Sequence, residues 1–385
     1  MSALQPPLRT IKEVKETPRS AARSLWRTYG RNPGNFLTDR FWPWLTNYLR
    51  VALMPKRRLR TYAQLTSTSP GVFRIPDRCV IGMAGDWGTG TRSAYRVADQ
   101  LASYQPHFTI HLGDVYYSGT AEEFRKYFIP SWPRGKLGTY VLNANHEMYS
   151  GGEGYFDVAL PEYRQETSYF CLENDSWRIL AVDSGYYSRT FPILELLLTS
   201  WIRLPAPVQA WLKEVVFRDP QDRRPVVLLS HHQWFSEFDT EYTRVGSNLA
   251  PYLDKVLLWL WAHEHRFAAY APFALDDLRK VRARCIGHGG MPIELNGERK
   301  RARNLVFVDA REAPDKLDGE PIGYCGFAVL TLDGEALRVE YADETGKKLF
   351  EERWTRTAQG AHGSVVFASP DLSVVPGASL ESLVS

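Results

Sequence analysis

CVIGMAGDWG, from Cys79 to Gly88, is an apolar run that stops abruptly on glycine and aspartate. Five later stretches share this form: FTIHLGDVYY (Phe108–Tyr117), TYVLNANHE (Thr139–Glu147), WRILAVDS (Trp177–Ser184), PVVLLSHH (Pro225–His232) and KVLLWLWAHEH (Lys255–His265). An apolar run without polar alternation reads as a strand covered on both faces, and its polar end is then delivered to one rim of a sheet. Helical stretches lie between, TRSAYRVADQLASY (Thr91–Tyr104) and PVQAWLKEVVFRD (Pro207–Asp219), the second opening on a proline suited to a first helical turn. Strand, loop and helix alternate, so a layered α/β domain is expected.

Outward from this centre, β-type runs follow at Asn304–Asp309, Cys325–Leu332, Ala336–Tyr341 and Lys348–Trp354, with a hairpin turn at Asp333-Gly334. From about residue 356 to 385 small and polar residues with scattered valines suggest a flexible tail. Residues 1–75 form a separate N-terminal extension of short helices and loops, with an aromatic segment, Phe36–Met54, followed by the basic run KRRLR, Lys56–Arg60. Packing of 36–60 on the main domain is favoured over peripheral membrane contact, because Trp, Phe and Tyr fill cores more often than bilayers. The main domain is placed at 76–355.

At 385 residues with 44% hydrophobic side chains, the chain can bury a large core. Its 47 basic and 44 acidic residues nearly cancel, which argues against general nucleic-acid binding. No stretch of roughly 18 apolar residues offers a membrane span and the first thirty residues lack a secretory apolar region. The four cysteines have no paired spacing and read as buried thiols in a reducing compartment, so a cytoplasmic location is expected. Composition leaves the oligomeric state open.

The strand ends carry Asp86, Asp114, Asn145, His231, His263 and His265. Carboxylates, an amide oxygen and imidazoles are ligands for zinc, iron or manganese. One such residue at a strand end means little, because polar residues gather where strands meet solvent. Six in the same context are another matter. His263 and His265, two apart, project the same way from an extended segment and can reach one centre.

In order, Gly85-Asp86-Trp87-Gly88, Gly113-Asp114-Val115-Tyr116-Tyr117, Ala144-Asn145-His146-Glu147, His231 and Ala262-His263-Glu264-His265 resemble the motif series of the calcineurin-like metallophosphoesterases over about Cys79–Gly290. The first block lacks a histidine two after its aspartate and the second has a tyrosine three after, which looks most like the purple acid phosphatase branch. The resemblance implies a four-layer αββα sandwich of two mixed sheets flanked by helices. It implies a dinuclear site, with Asp86, Asp114, Tyr117 and His265 on the first metal and Asp114, Asn145, His231 and His263 on the second, Asp114 bridging. Tyr116 competes with Tyr117 for the phenolate role, and motif spacing favours Tyr117. Phenolate favours a trivalent ion, so iron(III) is expected beside a divalent zinc, iron or manganese.

The same resemblance places His146 beside the substrate as a catalytic group, with Asp114 as the metal bridge. His232, next to His231, and His288, in the glycine-rich CIGHGGMP, are candidates to border the cleft, whereas His107, His111 and Asp183 are read as structural. Both Ala144 and Ala262 stand where the family usually has glycine, so neither position can need a positive φ. The implied activity is metal-dependent hydrolysis of a phosphomonoester, as in an acid phosphatase. The alternatives are a phosphodiesterase acting on nucleotides or lipid headgroups, and a non-catalytic metal-binding scaffold. A protein phosphatase of the serine/threonine type is disfavoured, because VYYSG follows Asp114 in place of V-D-R-G.

Overall fold

The computed structural model describes residues 56–65, 70–188, 202–274, 280–295, 299–317, 320–358 and 360–385. The first strands are β1 (Val72–Arg74), β2 (Arg78–Ala84), β3 (Phe108–His111), β4 (Gly138–Val141), β5 (Phe170–Glu173), β6 (Arg178–Ala181) and β7 (Val226–Ser230). Next come β8 (Val256–Trp261), β9 (Phe267–Ala274), β10 (Lys280–Ile286), β11 (Ile293–Glu294), β12 (Leu305–Val308), β13 (Glu312–Leu317) and β14 (Glu320–Gly323). The last are β15 (Gly326–Asp333), β16 (Ala336–Asp343), β17 (Lys348–Thr357), β18 (Gly360–Ala368) and β19 (Ser373–Val374).

They form a seven-stranded sheet, β18-β17-β16-β15-β2-β3-β4, and a nine-stranded sheet, β1-β5-β6-β7-β8-β10-β9-β12-β19, with β11-β14-β13 as a small third sheet. β2, β3 and β4 run parallel in one large sheet. β6, β7, β8 and β10 do so in the other. The expected sandwich of two mixed sheets is therefore the observed one.

The apolar runs are continuous because both faces of each strand are covered. In β8, Leu258 and Leu260 join the core between the sheets, while Trp259 and Trp261 join the core on the outer face. Each such side chain contributes about 1.5–3 kcal/mol on burial. Helix α1 (Arg92–Ser103) covers the other outer face with Ala94, Val97, Ala98 and Leu101, and the Thr91 side chain caps it by accepting from the Ala94 amide. Helix α3 (Ala206–Trp211), continued by a wider turn at Leu212–Val216, packs Val208, Trp211 and Leu212 against the nine-stranded sheet. The site-bearing α2 (Asn145–Met148) is a single turn between them in sequence.

Two expectations about the chain's ends are corrected. The stretch after residue 356 is not a loose tail: β18 pairs with β17, β19 pairs with β12, and Leu383 and Val384 are buried in the central core. Valines scattered among small residues are what a half-covered edge strand looks like, and pairing with distant strands supplies what composition alone does not. Val72–Arg74, assigned above to the N-terminal extension, is strand β1 and pairs with β5. The aromatic segment Phe36–Met54 lies outside the described residues.

Candidate metal centre

The two sheets converge at the carboxyl ends of their parallel strands, and glycines permit it. A methyl at Gly85 would come within 2.3 Å of the Ala262 Cβ, and one at Gly113 within 2.6 Å of the Ala144 Cβ. The two alanines that depart from the glycine pattern each face a glycine, Ala262 across the junction between the sheets and Ala144 across neighbouring strand ends of one sheet, so one side of each contact stays small. Ala144 has φ −142, so its methyl is unstrained. Positive φ falls instead on the donors themselves, Asp86 (56°), Asp114 (70°) and His263 (68°). Such conformations cost energy for non-glycine residues and concentrate at functional sites.

The Asp86 main chain is fixed by its amide on the Gly113 carbonyl at 2.9 Å. Its Oδ2 accepts from the His263 amide at 2.9 Å. Its Oδ1 stands 2.7 Å from the Tyr116 hydroxyl and 3.4 Å from His265 Nε2. The same hydroxyl is 3.2 Å from Asp114 Oδ2 and 2.9 Å from His265 Nε2. Four donors, from Asp86, Asp114, Tyr116 and His265, thus face one point.

A second group shares Asp114 Oδ2, which lies 3.4 Å from His231 Nε2. That nitrogen is 2.9 Å from Asn145 Oδ1 and 3.2 Å from His263 Nδ1, and the latter two atoms are 3.2 Å apart. His231 Nδ1 donates to the Leu112 carbonyl at 2.9 Å, which fixes the ring and turns Nε2 toward the cluster. The Asn145 amide nitrogen donates to the Tyr149 hydroxyl at 3.1 Å, leaving its oxygen toward the cluster. Two carboxylates, a phenol, an amide oxygen and three imidazoles gathered in one largely buried place are what a cation resolves, and this set fits transition metals.

The electrostatics agree. Burial alone would lower the His231 pKa, but the Asp114 carboxylate beside it pushes the imidazole up to about 9, so the pocket calls for positive charge. Burial, then the charges of Asp86 and Asp114, hold the Tyr116 phenol well above its ordinary range. Glu147 is pushed up to about 8 by burial and then by Asp114, while its oxygens accept from the Asp114 and Val115 amides at 3.2 and 2.9 Å and hold that loop.

The tyrosine preference is reversed by this geometry. Tyr116 places its hydroxyl among the donors, whereas Tyr117 meets the site through its carbonyl, 2.5 Å from His146 Nδ1, and its amide is held by Glu123 at 2.5 Å. The two rings pack edge to face with centroids 5.8 Å apart, and it is the Tyr116 hydroxyl that stands within hydrogen-bond distance of Asp86, Asp114 and His265.

His146 lines a cleft of about 390 Å³ over the centre, together with Asp239, Arg266, Met291 and the donors Asp114, Asn145, His263 and His265. Its Nε2 is 3.8 Å from Asp114 Oδ2. Neither candidate cleft residue lines this cleft. His232 is buried, its Nδ1 on the Ser184 hydroxyl at 3.1 Å and its ring against His263 and Tyr242, which leaves a ring nitrogen within 4.8 Å of those of His231 and His263. His288 is buried with its ring stacked on Phe267. His111 packs between Phe128 and Trp132, His107 accepts from the Val80 amide at 3.0 Å, and Asp183 accepts from Gly185 and Tyr186 amides, all structural as read.

Sequence reasoning passed over Glu147, although it stands inside a quoted motif, and Tyr242, whose hydroxyl is 2.9 Å from His263 Nε2 and which no motif marks. Gly287 supplies a test of the packing around the donors. A methyl there would lie 2.3 Å from the Glu264 carbonyl oxygen and 2.9 Å from Asp86 Oδ2. Gly287→Ala is expected to weaken metal retention about 10- to 100-fold by displacing that carboxylate, as loss of supporting contacts does elsewhere. Metal titration of dialysed protein measures this, and unaltered affinity would mean the loop has room to yield.

Residues 80–267 match the family model of the calcineurin-like phosphoesterases. No curated protein matches the chain's sequence. Among solved structures, the purple acid phosphatase PPD1 from yellow lupin (Lupinus luteus) superposes with a TM-score of 0.50 at 15% identity, covering 74% of this chain and 55% of that one. The chain thus spans about half the length of that enzyme. PhoD gives a TM-score of 0.48 at 12% identity over 82% of this chain and 76% of that one. A dimetal phosphatase from Danio rerio gives 0.42 at 11% identity, covering 69% and 96%. At 15% identity the likeness to the lupin enzyme concerns the fold alone.

Proposed function

We propose that this chain, a calcineurin-like phosphoesterase across residues 80–267, is an acid-phosphatase-like phosphomonoesterase with iron(III) held by Asp86, Asp114, Tyr116 and His265 and a divalent ion held by Asp114, Asn145, His231 and His263. The observation that carries this reading is the division of eight donor contacts into two groups that share Asp114 Oδ2. When bound, the two cations would polarise a phosphoryl group and acidify a water. Asp114 orients both groups, and its own position is set by the His146 amide on Oδ1 at 3.1 Å. His146, with Nδ1 donating to the Tyr117 carbonyl, turns Nε2 toward the leaving oxygen, and as the imidazolium, with a proton on each nitrogen, it can hand that oxygen the Nε2 proton.

Tyr116 supports the trivalent ion. Its phenol is held protonated by burial and by two carboxylates, so only a strong Lewis acid would displace that proton.

Protein loaded with iron and zinc should hydrolyse an aryl phosphate, lose that activity to a chelator, and act less well on a bis-aryl phosphate. Preference for the diester would select the phosphodiesterase alternative, and no turnover under any metal loading would select a scaffold. Iron-loaded protein should show a visible phenolate band that Tyr116→Phe removes and Tyr117→Phe leaves in place. The opposite result would restore Tyr117 to the ligand set.

A further inference from the structure

Arg266 follows the donor His265 and lines the cleft over the metal centre. Its guanidinium carbon stands 4.0 Å from the centroid of the Phe238 ring, a cation–π contact that holds the end of the side chain in place. The side chain is 18% exposed, and its Nε, buried, has no hydrogen-bond partner among the described residues. The carboxylate near it, Glu264 Oε2, is 4.0 Å away, beyond hydrogen-bond reach, and is already engaged by the Ser236 hydroxyl at 2.6 Å. Ser236 Oγ also accepts from the Phe238 and Asp239 amides at 2.9 and 2.8 Å, so the loop carrying the aromatic platform is itself fixed.

A largely buried guanidinium normally satisfies its planar fork of five N–H donors. Here the guanidinium is held over Phe238 with its Nε unpartnered among the described residues, and the side chain lines the cleft where an anion must bind. We propose that Arg266 is a phosphate-binding residue of this cleft, its guanidinium donating to the non-bridging oxygens of the phosphoryl group. The inference rests on the phosphatase reading and deepens it by naming the group that recognises the dianion. Arginine suits this task because its fork pairs two oxygens at once, whereas a lysine offers a point charge.

The proposal is tested by binding, with turnover measured separately. Inorganic phosphate is titrated calorimetrically into the metal-loaded full chain and into Arg266→Ala, Arg266→Gln and Arg266→Lys, with metal content and melting temperature followed in each. Arg266→Ala and Arg266→Gln should weaken phosphate binding about 10- to 100-fold at undiminished metal content, the range for charge-assisted hydrogen bonds. Arg266→Lys should recover part of it. In kinetics the loss should fall on KM for an aryl phosphate and on the inhibition constant of phosphate. Phosphate affinity unchanged in a folded, metal-replete Arg266→Gln variant would overturn the proposal. If Arg266→Ala does not fold, Arg266→Lys and Arg266→Gln decide. Wild-type protein that binds phosphate and hydrolyses no ester would overturn the phosphatase reading, while the binding comparison would still judge Arg266.

Discussion

Asp114→Asn lowers kcat/KM for an aryl phosphate on the order of 10³-fold or more, because the residue belongs to both donor groups and its loss removes charge stabilisation that no neighbour replaces. The substitution is chosen for its mildness. Asparagine tolerates the left-handed backbone that Asp114 adopts at φ 70°, and its side chain can still accept the His146 amide. What it lacks is the negative charge. Metal analysis after dialysis should show depletion of both ions, whereas melting of the metal-free protein should change little. Full activity in Asp114→Asn would remove the bridge from the argument and with it the two-ion reading.

The second large effect is on stability and lies between the sheets. Arg284 of β10 and Glu352 of β17 are both fully buried, and the guanidinium donates to the two carboxylate oxygens at 3.0 and 2.7 Å. Tyr341 donates to the same carboxylate at 2.8 Å, and Arg284 also donates to the Tyr270, Ala283 and Leu383 carbonyls. This pair ties one sheet to the other within an otherwise apolar interior. Arg284→Met should destabilise the fold by about 3–5 kcal/mol, because a buried carboxylate is left without its countercharge. Arg284→Met with Glu352→Leu should recover most of that loss, since a buried pair replaced whole often costs nothing. Urea denaturation measures both. A single variant as unstable as wild type within about 0.5 kcal/mol would mean water reaches Glu352.

Much of the candidate centre was legible because each proposed donor sits at the end of a local pattern. An apolar run, a turn and a polar residue can be read from a few neighbours, and the order of Asp86, Asp114, Asn145, His231, His263 and His265 needed nothing further. The same locality limited the reading of His232 and His288: neither adjacency to His231 nor a glycine-rich turn gives the direction of a side chain, and both rings are buried. The C-terminal strands were missed for a related reason: β18 and β19 are weak alone and become strands by pairing with β17 and β12.

The sequence by itself determined the layered α/β class and picked out six candidate donors at strand ends, since burial pattern and donor chemistry are properties of short segments, while the two-sheet sandwich came from the resemblance that its motifs carry. Only the tertiary structure decided which tyrosine hydroxyl faces those six residues. Glu123 holds the Tyr117 amide and Gly88 accepts from the Tyr116 amide, and these contacts aim the Tyr116 hydroxyl at Asp86. The tertiary structure also set Arg266 on Phe238 and matched Gly85 to Ala262 across the junction. Those outcomes depend on groups far apart in the chain, whose distances are fixed by packing between sheets and not by spacing along the sequence.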